Sequence, residues 1–79
     1  MLYSQVYEAI RNLLRETRMN AGLTQVELAC KLDRGQSYVS KVERGEQYID
    51  LAEFVEWCKA CNKAPSEAIK KLDPYAKPA

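Results

Sequence analysis

Apolar residues recur at helical spacing through most of this chain of 79 residues. The first apolar stripe consists of Val6, Ile10, Leu13, Leu14 and Thr17. Charged residues occupy the opposite side of the same segment: Glu8, Arg11, Arg15 and Arg18. Gly22 follows the stripe, and glycine commonly ends a helix because it adopts the left-handed backbone without steric cost. The pattern predicts a first helix from about Tyr3 to Ala21.

A shorter amphipathic segment comes next and carries a clear start signal. Thr24 is followed three residues later by Glu27, which is the spacing of a capping box. The signal predicts a second helix that begins after Thr24 and ends near Lys31. Its apolar contacts come from Val26, Leu28, Ala29 and Leu32.

A polar break, Asp33-Arg34, separates this segment from a third one. Gly35 is a tolerable N-cap, and Gly45 is a suitable left-handed terminus, so they predict a third helix that ends at Arg44. Val39 and Val42 would point inward, and the outer positions are polar: Gln36, Ser37, Ser40 and Lys41. Two short helices joined by a tight turn, with polar side chains opening the second, are the arrangement by which a helix-turn-helix presents a reading helix to the DNA major groove.

The last two predicted helices also begin with recognisable residues. Asp50 and Glu53 form a second capping-box pattern, which predicts a fourth helix ended by Asn62. Its apolar stripe consists of Leu51, Phe54, Val55, Trp57, Cys58 and Cys61. Pro65 is typical of a first helical turn. It predicts a fifth helix through the apolar positions Ala68, Ile69 and Leu72.

Together these elements predict an all-α fold of five helices. We expect one compact domain over residues 1–72 and a flexible C-terminal tail over residues 73–79, whose sequence is DPYAKPA. A domain of this size buries only about 60% of its unfolded surface, so small domains are often stabilised by a partner subunit. We therefore expect a homodimer.

Charge neither excludes DNA binding nor favours it strongly. The net charge is +1, from 12 basic and 11 acidic residues, and this gives little long-range attraction to a polyanion. The basic residues slightly outnumber the acidic ones up to Arg44, and the balance reverses after it. A strongly basic protein that coats DNA without regard to sequence is disfavoured.

Membrane, metal and catalytic functions find little support in the composition. Neither a bilayer-spanning apolar run nor a signal peptide is recognisable, so we expect a cytoplasmic protein without membrane association. Cys58 and Cys61 share a helix face, but histidine is absent and Cys30 is the third and last cysteine, so one chain lacks the four ligands of a structural zinc site. We expect these thiols to pack in the core, and we expect no metal, no cofactor and no enzymatic activity.

The segment from Ile10 to Leu72 resembles the phage-repressor-type helix-turn-helix family, also called Xre-like or Cro/cI-like. The stretches that carry the resemblance are Leu14 to Arg18, Gly22-Leu23-Thr24-Gln25, Glu27-Leu28-Ala29, Gly35-Gln36-Ser37 and Ser40-Lys41-Val42-Glu43-Arg44-Gly45. The chain departs from the family at Asp33-Arg34, where a glycine and an apolar residue are usual, and at Lys63 and Ala64. The resemblance implies a lambda-repressor-like domain whose second and third helices form the helix-turn-helix.

The resemblance also implies roles for individual residues. Gln36, Ser37 and Lys41 would read DNA bases. Gln25 would bind a phosphate and brace Gln36. The other backbone contacts would come from Thr24, Arg34, Tyr38 and Arg44. Arg18 and Glu43 would form a largely buried salt bridge between the first and third helices.

These observations predict a transcription regulator that binds double-stranded DNA sequence-specifically. We expect a repressor that occupies a palindromic operator as a homodimer, with Phe54, Trp57 and Ile69 in the dimer interface. The alternative is a protein-interaction module on the same fold, antitoxin-like or otherwise partner-binding, and the near-neutral charge and the DPYAKPA tail favour it slightly. The sequence does not distinguish repression from activation, and it does not specify the operator.

Overall fold

The computed structural model describes residues 4–76 and shows five α-helices followed by a 3-10 helix. The helices are α1 (Gln5–Asn20), α2 (Gln25–Lys31), α3 (Gln36–Arg44), α4 (Leu51–Ala60) and α5 (Pro65–Ile69), and the 3-10 helix is Lys70–Ala76. No strand occurs within the described range, so the predicted all-α class is confirmed. None of the described helices is long and apolar enough to cross a bilayer.

The helix starts agree closely with the capping signals. Thr24 Oγ1 accepts from the Glu27 amide at 3.1 Å, and Glu27 Oε1 accepts from the Thr24 amide at 2.9 Å. Asp50 and Glu53 form the same reciprocal pair at 2.7 and 2.9 Å. Each box satisfies two backbone donors that the first turn of a helix leaves without partners. Both predicted capping boxes are confirmed.

The first helix begins at Gln5, two residues after the start that the apolar pattern predicts. Ser4 is its N-cap, and Ser4 Oγ accepts from the Tyr7 amide at 3.0 Å. Tyr3, the predicted first residue, lies outside the described residues. The helix ends as predicted before Gly22, which has a φ of 74°.

The turn between α2 and α3 depends on a left-handed aspartate. Asp33, at the position where the family that the chain resembles usually has glycine, has a φ of 56°, and the Arg34 amide donates to Ala29 O at 2.9 Å. Aspartate tolerates this conformation better than most residues do. The turn therefore keeps its shape without glycine.

The core lies between α1, α2, α3 and α4, and Trp57 is at its centre. Trp57 is fully buried, and its indole Nε1 donates to Leu14 O at 3.0 Å. The other buried apolar residues are Leu13, Leu14, Leu28, Ala29, Tyr38, Val39, Val42, Phe54, Cys58, Cys61 and Ala68. Cys58 and Cys61 are thus core thiols, as predicted, whereas Cys30 is exposed.

Two groups of apolar residues differ from the sequence expectation. Phe54 and Trp57 are buried within one chain, so their predicted place in a dimer interface is wrong; Ile69 remains 42% exposed. Conversely, four residues of the predicted apolar stripes are exposed: Val6, Val26, Leu51 and Val55. Periodicity identifies apolar positions on a helix, but the neighbouring helices decide which of them are covered.

The C-terminal segment has more regular structure than expected. The fifth α-helix stops at Ile69 instead of reaching Leu72, and residues 70–76 continue as a 3-10 helix that packs against α1. Pro74 lies inside this segment, and its ring would clash with the carbonyl of Lys70 in an α-helix, so an α-helix through it is disfavoured. Lys71 Nζ lies 3.7 Å from Glu16 Oε2 on α1. Residues 73–76, which belong to the predicted flexible tail, thus have regular structure. Residues 77–79 lie outside the described range. The domain boundary at residue 72 stays a prediction.

Candidate nucleic-acid interface

The exposed side of α3 gathers the residues predicted to read DNA. Successive residues of an α-helix are about 100° apart around its axis, so the polar outer residues fall within an arc of about 140°. They are Gln36, Ser37, Ser40, Lys41 and Arg44, of which only Ser40 is partly buried. We call these five residues the reading face. The inner side of α3 is buried and consists of Tyr38, Val39, Val42 and Glu43.

A charged network fixes α3 against α1 and α2. Arg18 and Glu43 form a bidentate pair, with Nε to Oε2 at 2.7 Å and Nη2 to Oε1 at 3.0 Å. The side chains are only 11% and 4% exposed. Arg18 Nη1 also donates to Leu23 O, at 2.8 Å, just before α2. This is the pair that the family resemblance implies, and it ties three helices together.

Gln25 joins this network from the first turn of α2. Its Nε2 donates to Glu43 Oε1 at 3.1 Å, so here the amide braces Glu43 rather than Gln36. Thr24, one residue earlier, is exposed and uses its hydroxyl oxygen as the α2 cap. Both side chains lie at the N-terminus of α2, a position that favours phosphate because its backbone N–H groups and helix dipole attract anions.

Tyr38 is not exposed for contact with a DNA phosphate, so the prediction of that role is wrong. It is buried, and its hydroxyl donates to Glu53 Oε2 at 3.0 Å. Arg34 lies over the Tyr38 ring, with Cζ 4.3 Å from the centroid, and its Nη2 is 3.2 Å from the same Glu53 oxygen. Burial and the neighbouring Glu53 carboxylate raise the pKa of the Tyr38 hydroxyl well above its ordinary value. Tyr38 is thus a contact between α3 and α4, and Arg34 is half-exposed but already paired.

Arg44 ends the reading face and is held in place by two neighbours. Its Nε donates to Glu46 Oε2 at 2.7 Å, and its Nη1 donates to the Ser40 hydroxyl. The Arg44 guanidinium lowers the pKa of the Glu46 carboxyl. Arg44 remains exposed, so its position still suits a phosphate contact.

Comparisons with known proteins agree with this architecture. A family model described as a helix-turn-helix domain matches residues 9–68. A solved XRE-family-like protein from Pseudomonas syringae pv. tomato str. DC3000 is 40% identical over 91% of this chain and 88% of its own, with a TM-score of 0.82. The chain belongs to the XRE-like helix-turn-helix family of DNA-binding regulators.

The solved structures of the same fold include restriction-modification controllers. The controller protein C.AhdI from Aeromonas hydrophila is 32% identical, covers 84% of this chain and 98% of its own, and has a TM-score of 0.71. The controller C.Esp1396I, solved as a tetramer with its natural operator of 35 base pairs, has a TM-score of 0.81 at 19% identity and covers 91% of this chain and 95% of its own. The latter likeness shows the fold alone. No curated protein sequence matches the chain.

Sequence reasoning missed Glu53 as a partner of the helix-turn-helix. Its capping-box role was evident from the spacing to Asp50, but its second carboxylate oxygen binds Tyr38 and Arg34, fifteen and nineteen residues earlier. No local pattern indicates such a contact. Within residues 4–76, no three acidic or cysteine side chains gather as a metal site would require.

Proposed function

We propose that this protein is a transcription regulator that binds double-stranded DNA sequence-specifically and acts as a repressor on a palindromic operator. The observation that carries the proposal is the reading face: a row of polar side chains exposed on a helix whose other side is buried and fixed by Arg18, Glu43 and Gln25. A rigid helix with an exposed polar side is what readout in the major groove requires.

The chemistry of the reading face suits base recognition. The Gln36 side-chain NH₂ group can donate to adenine N7 while its oxygen accepts from adenine N6–H₂, so the amide fits the adenine edge in a bidentate manner. Lys41 suits the acceptors of guanine, and Ser37 accepts or donates. One good bidentate pair is worth about 1–3 kcal/mol of discrimination against the wrong base.

A homodimer would place two such helices in successive major grooves, about 34 Å apart. Exposed apolar residues available for the contact are Leu51 and Val55, one turn apart on α4, and Ile69 on α5. These replace Phe54 and Trp57, which the core of one chain already covers. Repression would be steric, because a bound dimer blocks access of polymerase to an overlapping promoter.

In vitro selection from random duplex DNA at near-physiological salt tests the proposal. We expect a palindrome with half-sites about ten base pairs apart, centre to centre. Titration of the selected duplex against a scrambled one should show specificity, and Gln36→Ala should remove most of it. Gln5→Ala makes the same chemical change at an exposed position on α1 and should leave specificity unchanged.

The results separate this function from the protein-interaction alternative. Selected palindromes and sedimentation as a dimer at tens of micromolar support the regulator. Weak binding that ignores sequence and fades with salt, together with recovery of a stoichiometric protein partner, contradicts it. A monomer that selects single half-sites contradicts the dimeric part alone.

A further inference from the structure

A shallow depression of about 460 Å³ adjoins the C-terminal end of α3. Four arginines and two glutamates line it: Arg11, Arg15, Arg18, Arg44, Glu43 and Glu46. These side chains come from α1, α3 and the residue just beyond Gly45. Their net charge of +2 contrasts with the near-neutral charge of the chain as a whole.

The two glutamates of the depression do not neutralise the charges of Arg11 and Arg15, because each glutamate is paired with another arginine. Glu43 is paired with Arg18 at 2.7 Å, and Glu46 is paired with Arg44 at 2.7 Å. Arg11 and Arg15 form no ion pair within residues 4–76. The excess positive charge of the depression therefore belongs to these two side chains, one turn apart on α1.

Arg11 is held close to the end of α3. Its Nη1 donates to Glu43 O at 3.2 Å, a carbonyl in the last turn of α3, where helical partners are lacking. Its side chain also passes over Gly45, where a Cβ would lie 3.0 Å from Arg11 Cδ. This contact uses one of the five donors of the guanidinium and leaves the others available.

The depression is continuous with the reading face. Arg44 belongs to both, because it lines the depression and also bonds Ser40 within the reading face. Gln25, at the N-terminus of α2, lines the depression as well. A duplex that lies along the reading face carries about one negative charge per 1.7 Å of its axis, so phosphates would pass close to these arginines.

We propose that Arg11 and Arg15 bind a DNA backbone phosphate beside the reading helix, which extends the DNA-binding surface from the helix-turn-helix onto α1. This inference rests on the proposed function and adds a contact that fixes register without selecting sequence. The positive charge concentrated here also offsets the low net charge of the chain, since phosphate binding depends on local rather than total charge.

Arg15→Gln is the decisive variant, because the Arg15 side chain is exposed and forms no ion pair with another described residue. Binding is measured by fluorescence anisotropy with the selected duplex and a scrambled duplex between 50 and 300 mM salt, roughly the range in which phosphate contacts are resolved. Lys59→Gln on α4 is the matched control, since it removes one exposed positive charge away from the depression. Arg15→Lys tests whether charge suffices.

One lost phosphate contact should lower the slope of log K against log salt by about 0.9 and weaken binding about fivefold near 150 mM salt. The loss should be equal for both duplexes, absent in Lys59→Gln and largely restored in Arg15→Lys. An unchanged slope in Arg15→Gln, while the wild type still discriminates the duplexes, overturns the inference and leaves the proposed function intact. Absence of duplex binding by the wild type overturns both.

Discussion

Arg18 on α1 and Glu43 on α3 form a bidentate ion pair, 25 residues apart in the chain, beneath the helix that carries the reading face. Arg18 also binds Leu23 O, and Glu43 also accepts from Gln25. The pair therefore orients α3 relative to both α1 and α2. An intact buried ion pair adds little net stability. Removal of one partner is strongly destabilising, because the other charge is then buried without a counter-ion.

Arg18→Met should destabilise the domain by about 3–5 kcal/mol, since it leaves the Glu43 carboxylate buried with only the Gln25 amide as a polar partner. This loss is a large part of the total free energy of unfolding of a domain of this size. Thermal and urea denaturation followed by circular dichroism measure the change. Arg15→Met makes the same substitution at an exposed position of the same helix and should shift stability by less than about 0.5 kcal/mol. Equal stability of the two variants would show that the pair is not buried in solution.

Tyr38→Phe should lower the free energy of unfolding by about 1–2 kcal/mol, because it removes the hydrogen bond from the hydroxyl to the Glu53 carboxylate and keeps the ring in the core. Arg34 and the Asp50 amide would still bind Glu53, so the α4 cap should survive. Tyr48→Phe removes the same atom from an exposed ring and serves as the control. If both variants unfold at the wild-type urea midpoint, the contact between α3 and α4 does not depend on this hydroxyl.

Two glycines with nearly the same backbone offer a matched pair of substitutions. Gly22 and Gly45 have φ values of 74° and 77°. Alanine at either position should lower the free energy of unfolding by about 1–2 kcal/mol, because a residue with a Cβ is strained in the left-handed conformation. Gly45→Ala should cost more than Gly22→Ala, because its Cβ would press on Arg11 Cδ at 3.0 Å, whereas Gly22 has open space. Urea denaturation of the two variants tests the order, and a larger loss for Gly22→Ala would contradict it.

The core thiols should make the domain less stable at alkaline pH. Burial raises the pKa of Cys61 to about 11 and also raises the pKa of Cys58. A group whose pKa is higher in the folded state contributes stability that is complete below the unfolded pKa and is lost as pH rises through the folded pKa. The urea midpoint should therefore fall between about pH 9 and pH 11, the interval between the unfolded pKa and the folded pKa of Cys61.

Cys61→Ala isolates this contribution. The variant should be less stable than the wild type at pH 7, because it loses buried side-chain volume, but its urea midpoint should fall less steeply above pH 9. Cys30→Ala is the control, since Cys30 is exposed. Parallel pH profiles for the wild type and Cys61→Ala would contradict the assignment of the alkaline loss to this thiol.

Local sequence signals predicted the helix boundaries well, and the reason is the range of the interactions involved. The Thr24–Glu27 and Asp50–Glu53 boxes and the Gly45 terminus depend on atoms within four residues of one another. The outward position of Gln36, Ser37 and Lys41 follows from the periodicity of a single helix. Residues whose partners are this close can be interpreted from the printed sequence alone.

Contacts between distant segments decided which side chains are buried and which remain exposed. Trp57 is central because its indole reaches Leu14 O, 43 residues earlier, and the same packing leaves Leu51 and Val55 exposed on the helix that carries it. Tyr38 is an inner residue because Glu53 lies opposite it. The sequence by itself determined the helices and the polar reading face, since these depend on short-range hydrogen bonds and helical period. Only the tertiary structure decided which apolar residues are covered and which charges remain free, because burial and ion pairing are properties of how helices pack.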